Sequence, residues 1–215
     1  IVSSGELQRL EDAPAEYTRR PTDLPPAIEK RELERLVIEL SWKSSKIEGN
    51  TYTLLDTEKL ILENKEASGH AHSEAQMILN HKDAFNFVRL NARSFKKLSR
   101  AHIEELHAIL VKDLNVGAGL RKRVVGIVGS LYQPLDNQHQ VREGLEALAA
   151  AVARVQTPYG KALVALLGIS YLQPFEDGNK RTARLLANAI LLAYACAPLS
   201  YRSVEESEYR EAMLV

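Results

Sequence analysis

The chain has 215 residues, 45% of them hydrophobic, and its 28 lysine and arginine residues balance its 28 aspartate and glutamate residues. The net charge of +0 excludes a bulk field that would draw the protein to nucleic acid or to a membrane surface, and no apolar run reaches the roughly 20 residues that span a bilayer. The single cysteine, Cys196, excludes an intramolecular disulfide, so we expect a cytoplasmic protein.

The first 27 residues are polar and contain several prolines, a composition that predicts an extended N-terminal arm over residues 1–27. Beyond them apolar residues recur with the period of a helix, and we divide the chain into a helical segment at 28–53 and one domain at 54–215. Helices are predicted near 27–48, 54–64, 71–92, 99–114, 140–156, 159–172, 179–196 and 204–214. This pattern indicates an all-α bundle, and because the last helix breaks off in mid-period we expect the chain to continue beyond Val215.

The first predicted helix ends in the sequence S-S-K-I-E-G, from Ser44 to Gly49. Apolar residues upstream recur at helical spacing, so Glu48 is expected near the end of an amphipathic helix that Gly49 terminates. The spacing alone is more typical of a solvated glutamate at a helix end than of a functional residue.

The predicted helix 99–114 contains two histidines, His102 and His107. Their spacing is not that of two metal ligands on one helix face. We therefore expect both histidines to lie on the helix surface.

The segment from Leu120 to Pro134 changes composition, since β-branched residues and glycines replace the helix formers. This composition predicts a short strand or β-hairpin at 122–134, the one β element of the chain. An ordinary surface hairpin fits the composition as well as a functional one.

The most informative segment is Leu172 to Arg184, which reads L-Q-P-F-E-D-G-N-K-R-T-A-R. Gly178 allows the backbone to approach an anion at the start of the helix 179–196, and Asn179 and Lys180 add polar donors there. A Gly-Asn turn followed by solvated basic residues is also a common way to begin a helix.

Charged residues around this turn favour a polyphosphate ligand. Arg181 and Arg184 are three positions apart, so both can lean over the same end of the helix. Asp177 supplies a hard oxygen ligand of the kind that Mg²⁺ shares with substrate phosphates. The segment therefore predicts a site for a nucleotide with magnesium.

The same segment resembles the signature of the Fic (filamentation induced by cAMP) family, H-P-F-x-D/E-G-N-G-R-x-x-R. The matching residues are Pro174, Phe175, Asp177, Gly178, Asn179, Arg181 and Arg184. The resemblance extends over roughly residues 28–215 and implies a Fic-fold helical bundle with a short β-hairpin flap. It also implies transfer of AMP from ATP, with Mg²⁺, to a Ser, Thr or Tyr hydroxyl of a protein target or of the chain itself.

The resemblance assigns roles to the individual positions. Asp177 would hold the metal and take part in catalysis with Asn179, and Gly178 and Asn179 would contact the phosphate under attack. The remaining nucleotide-binding positions would be Lys180, Arg181 and Arg184.

Two residues depart from the signature. Gln173 stands where the family has the histidine that serves as general base, and an amide cannot take up a proton near neutral pH. We therefore expect slow transfer with nucleotide binding retained. Lys180 replaces the second glycine, as in the Doc-type branch of the superfamily, which transfers a terminal phosphate. A phosphotransferase, a catalytically silent nucleotide-binding module and a hydrolase that removes AMP stay open as alternatives.

Two further segments resemble parts of Fic proteins. Ser44 to Gly49 resembles the inhibitory motif S/T-x-x-x-E-G/N, which implies that Glu48 pairs with Arg184 and obstructs a phosphate position. The hairpin resembles the flap, which implies target binding at Ile127, Val128, Gly129, Ser130 and Leu131 through addition of a strand. A homodimer stays open as well, because periodicity does not distinguish a face between subunits from a core face.

Overall fold

The computed structural model describes residues 5, 6, 8, 9, 12, 25–127 and 129–214. The helices in chain order are α1 (Pro26–Ile47), α2 (Leu54–Glu63), α3 (His72–Leu90), a 3-10 helix (Ala92–Lys97), α4 (Arg100–Leu110), α5 (Gln138–Arg154), α6 (Pro158–Leu172), α7 (Asn179–Ala193) and α8 (Glu206–Ala212). The described residues contain no strand, so the predicted all-α class is confirmed. Every predicted helix corresponds to an observed one, and the largest displacement is at α4, which ends at Leu110 and not at 114.

The predicted N-terminal arm falls mostly outside the described residues. Of its positions, 5, 6, 8, 9 and 12 have helical backbone. The division of the chain into arm, helical segment and domain stays a prediction.

The predicted β-hairpin at 122–134 is not found among the described residues of that segment. Residues 122–127 and 129–134 form turns and irregular chain, and position 128 lies outside the described residues. Val124 and Leu131 are 66% and 102% exposed, so these side chains have no surface to pack against. An isolated two-stranded hairpin is marginal in water without such a surface, and β-branched residues favour strands mainly through packing.

Local sequence signals explain where the helices begin. Thr53 and Asp56 form a reciprocal capping box at the start of α2, in which the Asp56 amide donates to Thr53 Oγ1 at 3.1 Å. At α6, Thr157 accepts from the Gly160 amide at 3.2 Å and Pro158 occupies the first helical position. These caps set the directions in which α2 and α6 leave the preceding chain.

The central element is α7, whose residues are buried along almost its whole length. It packs against α6, the 3-10 helix, α4, α3 and α1, and α8 packs on α1. The helices α5 and α6 approach closely at Gly144, where an added Cβ would lie 2.8 Å from Leu172 Cδ2. This packing places the loop between α6 and α7 at the meeting point of several helices. Among the described residues, none of the helices combines the length and the apolar character needed to cross a membrane.

Candidate active site

The loop from residue 173 to residue 178 is held in shape by the side chain of Asn179, the first residue of α7. The Phe175 amide donates to Asn179 Oδ1 at 2.9 Å, and Asn179 Nδ2 donates back to the Phe175 carbonyl at 2.8 Å. Gly178 caps α7 with φ 80, and an added Cβ there would lie 3.1 Å from Val111 Cγ1. Glycine is therefore required at this position by both backbone conformation and space.

The N-terminus of α7 has the backbone features of an anion-binding site, and Gly178 and Asn179 at this point are buried. No side chain caps it within the described structure, so its first amide groups have no side-chain acceptor. The helix dipole adds partial positive charge at the same point, which makes the turn at Gly178 suitable for a phosphate group. Lys180 lies in this first helical turn and is partly exposed.

Arg181 is a buried guanidinium behind this turn, with 2% exposure. It donates to Asp177 Oδ2 at 3.2 Å and to the Leu110 carbonyl at 3.4 Å. Burial lowers the pKa of Arg181 below its ordinary value, and Asp177 opposes that shift. The Asp177 side chain is 64% exposed, so its carboxylate can still meet a ligand from solvent.

Arg184 is enclosed by two helices from distant parts of the chain. From α1, Ser44 accepts Arg184 Nε through Oγ at 3.0 Å and an Arg184 Nη atom through its carbonyl at 2.8 Å. The Glu48 carboxylate lies 2.8 Å from the other Nη atom, so the pair expected between Glu48 and Arg184 is present. From α8, the Tyr209 ring covers the guanidinium at 5.4 Å from its centre.

The charge state of Arg184 reflects this enclosure. Burial by itself lowers the pKa of Arg184, but the nearby Glu48 carboxylate and Tyr209 outweigh burial and raise the pKa above its ordinary value. Arg184 is 1% exposed, and because its pKa is raised it stays positively charged in this buried place.

Gln173 ends α6 in a left-handed conformation, with φ 46. Its amide nitrogen Nε2 donates to the Ser170 carbonyl at 2.6 Å, so the side chain folds back onto the end of its own helix. The residue is 8% exposed and carries no titratable group. The position matched to the family's histidine therefore offers no proton acceptor comparable to an imidazole.

The His107 side chain packs against the loop 173–178. The prediction that it lies on the helix surface is therefore wrong. The side chain is 0% exposed, its ring stacks on Phe175 at 3.6 Å between centroids, and Nε2 donates to the Asp177 carbonyl at 2.9 Å. Burial lowers the pKa of His107 to about 4, so the ring is neutral at physiological pH. The sequence gives only the position of His107 within its helix. Whether that position is buried depends on how α4 packs against the loop.

The flap segment, defined here as residues 122–134, lies near the end of α6. Its Ser130 amide donates to the Ile127 carbonyl at 3.0 Å, which closes a turn, and Gly129 and Leu131 are exposed. The Tyr132 ring stacks on Tyr171 at 4.4 Å between centroids. The structure thus brings this segment next to the helix end that carries Gln173, whereas Val128 lies outside the described residues.

Comparisons with known proteins agree with the geometry. Residues 97–191 match the model described as the Fic/DOC family. The chain is 27% identical over 188 residues to the protein adenylyltransferase Fic of Nematostella vectensis, a match that covers 85% of this chain and 44% of that protein. It is 25% identical over 166 residues to the protein adenylyltransferase Fic of Drosophila willistoni, with coverage of 76% and 33%.

A solved structure shows the same fold. A Fic domain containing signaling protein from Bacteroides thetaiotaomicron superposes with a TM-score of 0.78 at 22% identity, over 96% of this chain and 80% of that chain. The chain spans less than half of the length of the two adenylyltransferases named above.

Proposed function

We propose that this chain, whose residues 97–191 match the Fic/DOC family model, is a restrained protein adenylyltransferase that moves AMP from ATP to a Ser, Thr or Tyr hydroxyl. The observation that carries the proposal is the pair of buried arginines behind the Gly178 turn, one of them occupied by Glu48. The names of the relatives from Nematostella and Drosophila support the same activity.

In the proposed mechanism the first turn of α7 binds phosphate through its free amides. Arg181 and Arg184 then hold the outer phosphates, which leave as pyrophosphate when the target oxygen forms its bond to the α-phosphorus. The Asp177 carboxylate would hold Mg²⁺, and a single exposed carboxylate fits an ion that takes its other ligands from phosphates and water. When bound, Mg²⁺ would neutralise the charge that develops on the departing pyrophosphate.

The proton of the attacking hydroxyl has no base to receive it at residue 173. The Gln173 amide is bonded to the Ser170 carbonyl and cannot act as a general base. General-base assistance typically contributes about 10²- to 10⁴-fold to a rate. We therefore expect nucleotide binding and turnover to separate in this chain.

Glu48 restrains the site in this proposal. Its carboxylate occupies the Arg184 nitrogen that an outer phosphate needs, and the two anions exclude each other. The target would bind along the flap segment by adding a strand, and exposure of Gly126, Gly129 and Leu131 supports access to this segment.

The test uses four versions of the chain: unaltered, Gln173→His, Glu48→Gly and the double variant. Each is incubated with isotope-labelled ATP and Mg²⁺, and label on the chain is followed by intact mass. We expect an adenylyl increment that is largest in the double variant and is lost when Arg184→Ala is added. Measurable ATP binding with no increment in any version contradicts the proposal.

A silent nucleotide-binding module is the second candidate, and Gln173 is the observation that favours it. It predicts ATP binding that Arg184→Ala weakens, without turnover in any variant. The same mass measurement separates the remaining alternatives. A phosphoryl increment would indicate the phosphotransferase suggested by Lys180, and loss of AMP from a modified protein would indicate a hydrolase in which Glu48 orients water.

A further inference from the structure

Arg121 is a buried cation at the start of the mostly exposed flap segment. It is 2% exposed, whereas the next two residues, Lys122 and Arg123, lie in solvent. Burial lowers the pKa of Arg121 below its ordinary value. Burying a guanidinium costs free energy unless hydrogen bonds satisfy its donors. The hydrogen-bond partners of Arg121 therefore indicate its role.

The donors of Arg121 all go to main-chain carbonyl oxygens and, in the described part of the chain, to no carboxylate. Nε donates to the Gln173 carbonyl at 2.6 Å, and one Nη atom donates to the Arg123 carbonyl at 3.1 Å. The other Nη atom donates to the Leu135 carbonyl. The Arg121 amide itself donates to the Pro174 carbonyl at 2.9 Å.

These partners belong to three places that matter for the site. Arg123 lies at the start of the flap segment and Leu135 directly follows its end, so one side chain ties the two ends together. Gln173 is the position matched to the general base, with the unfavourable φ 46, and Pro174 follows it. A planar guanidinium can serve three carbonyls in fixed directions, whereas the point charge of a lysine cannot.

We propose that Arg121 is a positioning residue for adenylyl transfer, which holds the flap segment and residue 173 in one fixed arrangement. The inference rests on the proposed function, in which the flap presents the target hydroxyl and residue 173 faces it. In this proposal Arg121 would touch neither ATP nor the target. It sets the relation between the two parts of the chain that must meet, because it is bonded to both.

The two buried arginines that would hold the outer phosphates have partners other than those of Arg121. Arg181 is bonded to Asp177 and Leu110, and Arg184 is held by α1 and α8. Loss of Arg121 should therefore affect the rate of transfer and leave ATP affinity unchanged. A residue that merely supports the fold would lower both together.

The experiment uses the Gln173→His, Glu48→Gly double variant as the parent. Arg121→Met and Arg121→Lys are added separately, and Arg142→Met, which removes an exposed arginine from α5, is the matched control. The readouts are the rate of self-labelling from ATP, the ATP dissociation constant by calorimetry and the thermal midpoint.

We expect Arg121→Met to lower the labelling rate by about 10²-fold, because a displacement of about 1 Å costs that much in a positioned reaction. The ATP dissociation constant should stay within about twofold. Arg121→Lys should recover part of the rate, since it keeps the charge and can still donate to one or two carbonyls. The control should match the parent.

Equal rates in Arg121→Met and the parent overturn the inference, and so does a loss of ATP affinity as large as the loss of rate. If the parent binds ATP but adds no label, the proposed function fails. Amide hydrogen exchange then tests separately whether Arg121 holds the flap segment against residue 173. In the ATP-bound chain, Arg121→Met should increase exchange over 122–134 and not over 179–193. An unchanged pattern there overturns the arrangement.

Discussion

Replacing Glu48 by glycine should have two effects of opposite sign, which makes it the sharpest test of the restrained site. The carboxylate lies 2.8 Å from an Arg184 nitrogen, and the Arg184 side chain is 1% exposed against 21% for Glu48. Without Glu48 a phosphate no longer has to displace a competing anion. A partly buried ion pair of this kind, between the exposed and the fully buried limits, contributes on the order of 1.5–3 kcal/mol, so ATP should bind about 10- to 100-fold more tightly.

The same change should destabilise the chain in the absence of ATP. Removing one partner of a fully buried ion pair costs about 3–5 kcal/mol, but Ser44 still accepts two Arg184 donors and Glu48 is partly exposed. We therefore expect the free energy of unfolding to fall by about 1.5–3 kcal/mol. Glu48→Gln, which keeps the shape and removes the charge, should change both quantities in the same directions by less.

Calorimetry with ATP and Mg²⁺ measures the affinity, and denaturant unfolding without nucleotide measures the stability. Lys46→Ala is the control, because this exposed residue lies in the same helical turn and makes no contact with Arg184. A loss of stability without any gain in ATP affinity would show that Glu48 only supports the fold. Tighter binding with unchanged stability would contradict the burial argument.

Gly178→Ala should lower the free energy of unfolding by about 1–3 kcal/mol in a denaturant titration, because the residue has φ 80 and a crowded Cβ position. Gly126→Ala, with nothing within 4 Å, should change it little. Burial lowers the pKa of His107 from 6.5 to about 4, so the unfolded chain binds a proton that the folded chain rejects between these values. His107 should thus contribute a loss of about 3 kcal/mol of stability as pH drops through this window, and His107→Gln should remove that part of the pH dependence while the part due to buried His81, whose pKa burial lowers to about 3, remains; an unchanged profile contradicts the assignment. Tyr209→Ala should raise ATP affinity about fivefold by loosening the enclosure of Arg184, whereas Tyr209→Phe, which keeps the ring, should not; equal calorimetric constants for the two variants refute this.

Much of the secondary structure follows from short stretches of sequence. The prolines before α1, the Thr53 capping box and the glycine before α7 are local signals, because each acts on backbone groups within four residues. The predicted helix positions agree with the structure for this reason. The hairpin prediction failed in the described residues because a strand needs a partner that composition alone cannot supply.

The candidate site divides in the same way. The turn at Gly178 and its basic residues could be predicted from one continuous segment of sequence. The pairing of Glu48 with Arg184 was predicted from the resemblance to a family. No sequence signal identified Arg121, His107 or Tyr209 as parts of the site. Each is an ordinary polar or aromatic residue whose importance lies in what covers it.

The sequence by itself determined where the helices lie and the glycine turn before α7, because these depend on hydrogen bonds and backbone preferences between near neighbours. Tertiary structure alone decided which charges are buried and which carbonyl oxygens meet them. Arg184 meets Ser44 from 140 positions away, and Arg121 meets Gln173 from 52. Such contacts exist only once several helices have packed together, since burial and desolvation depend on the whole enclosure and not on any single segment.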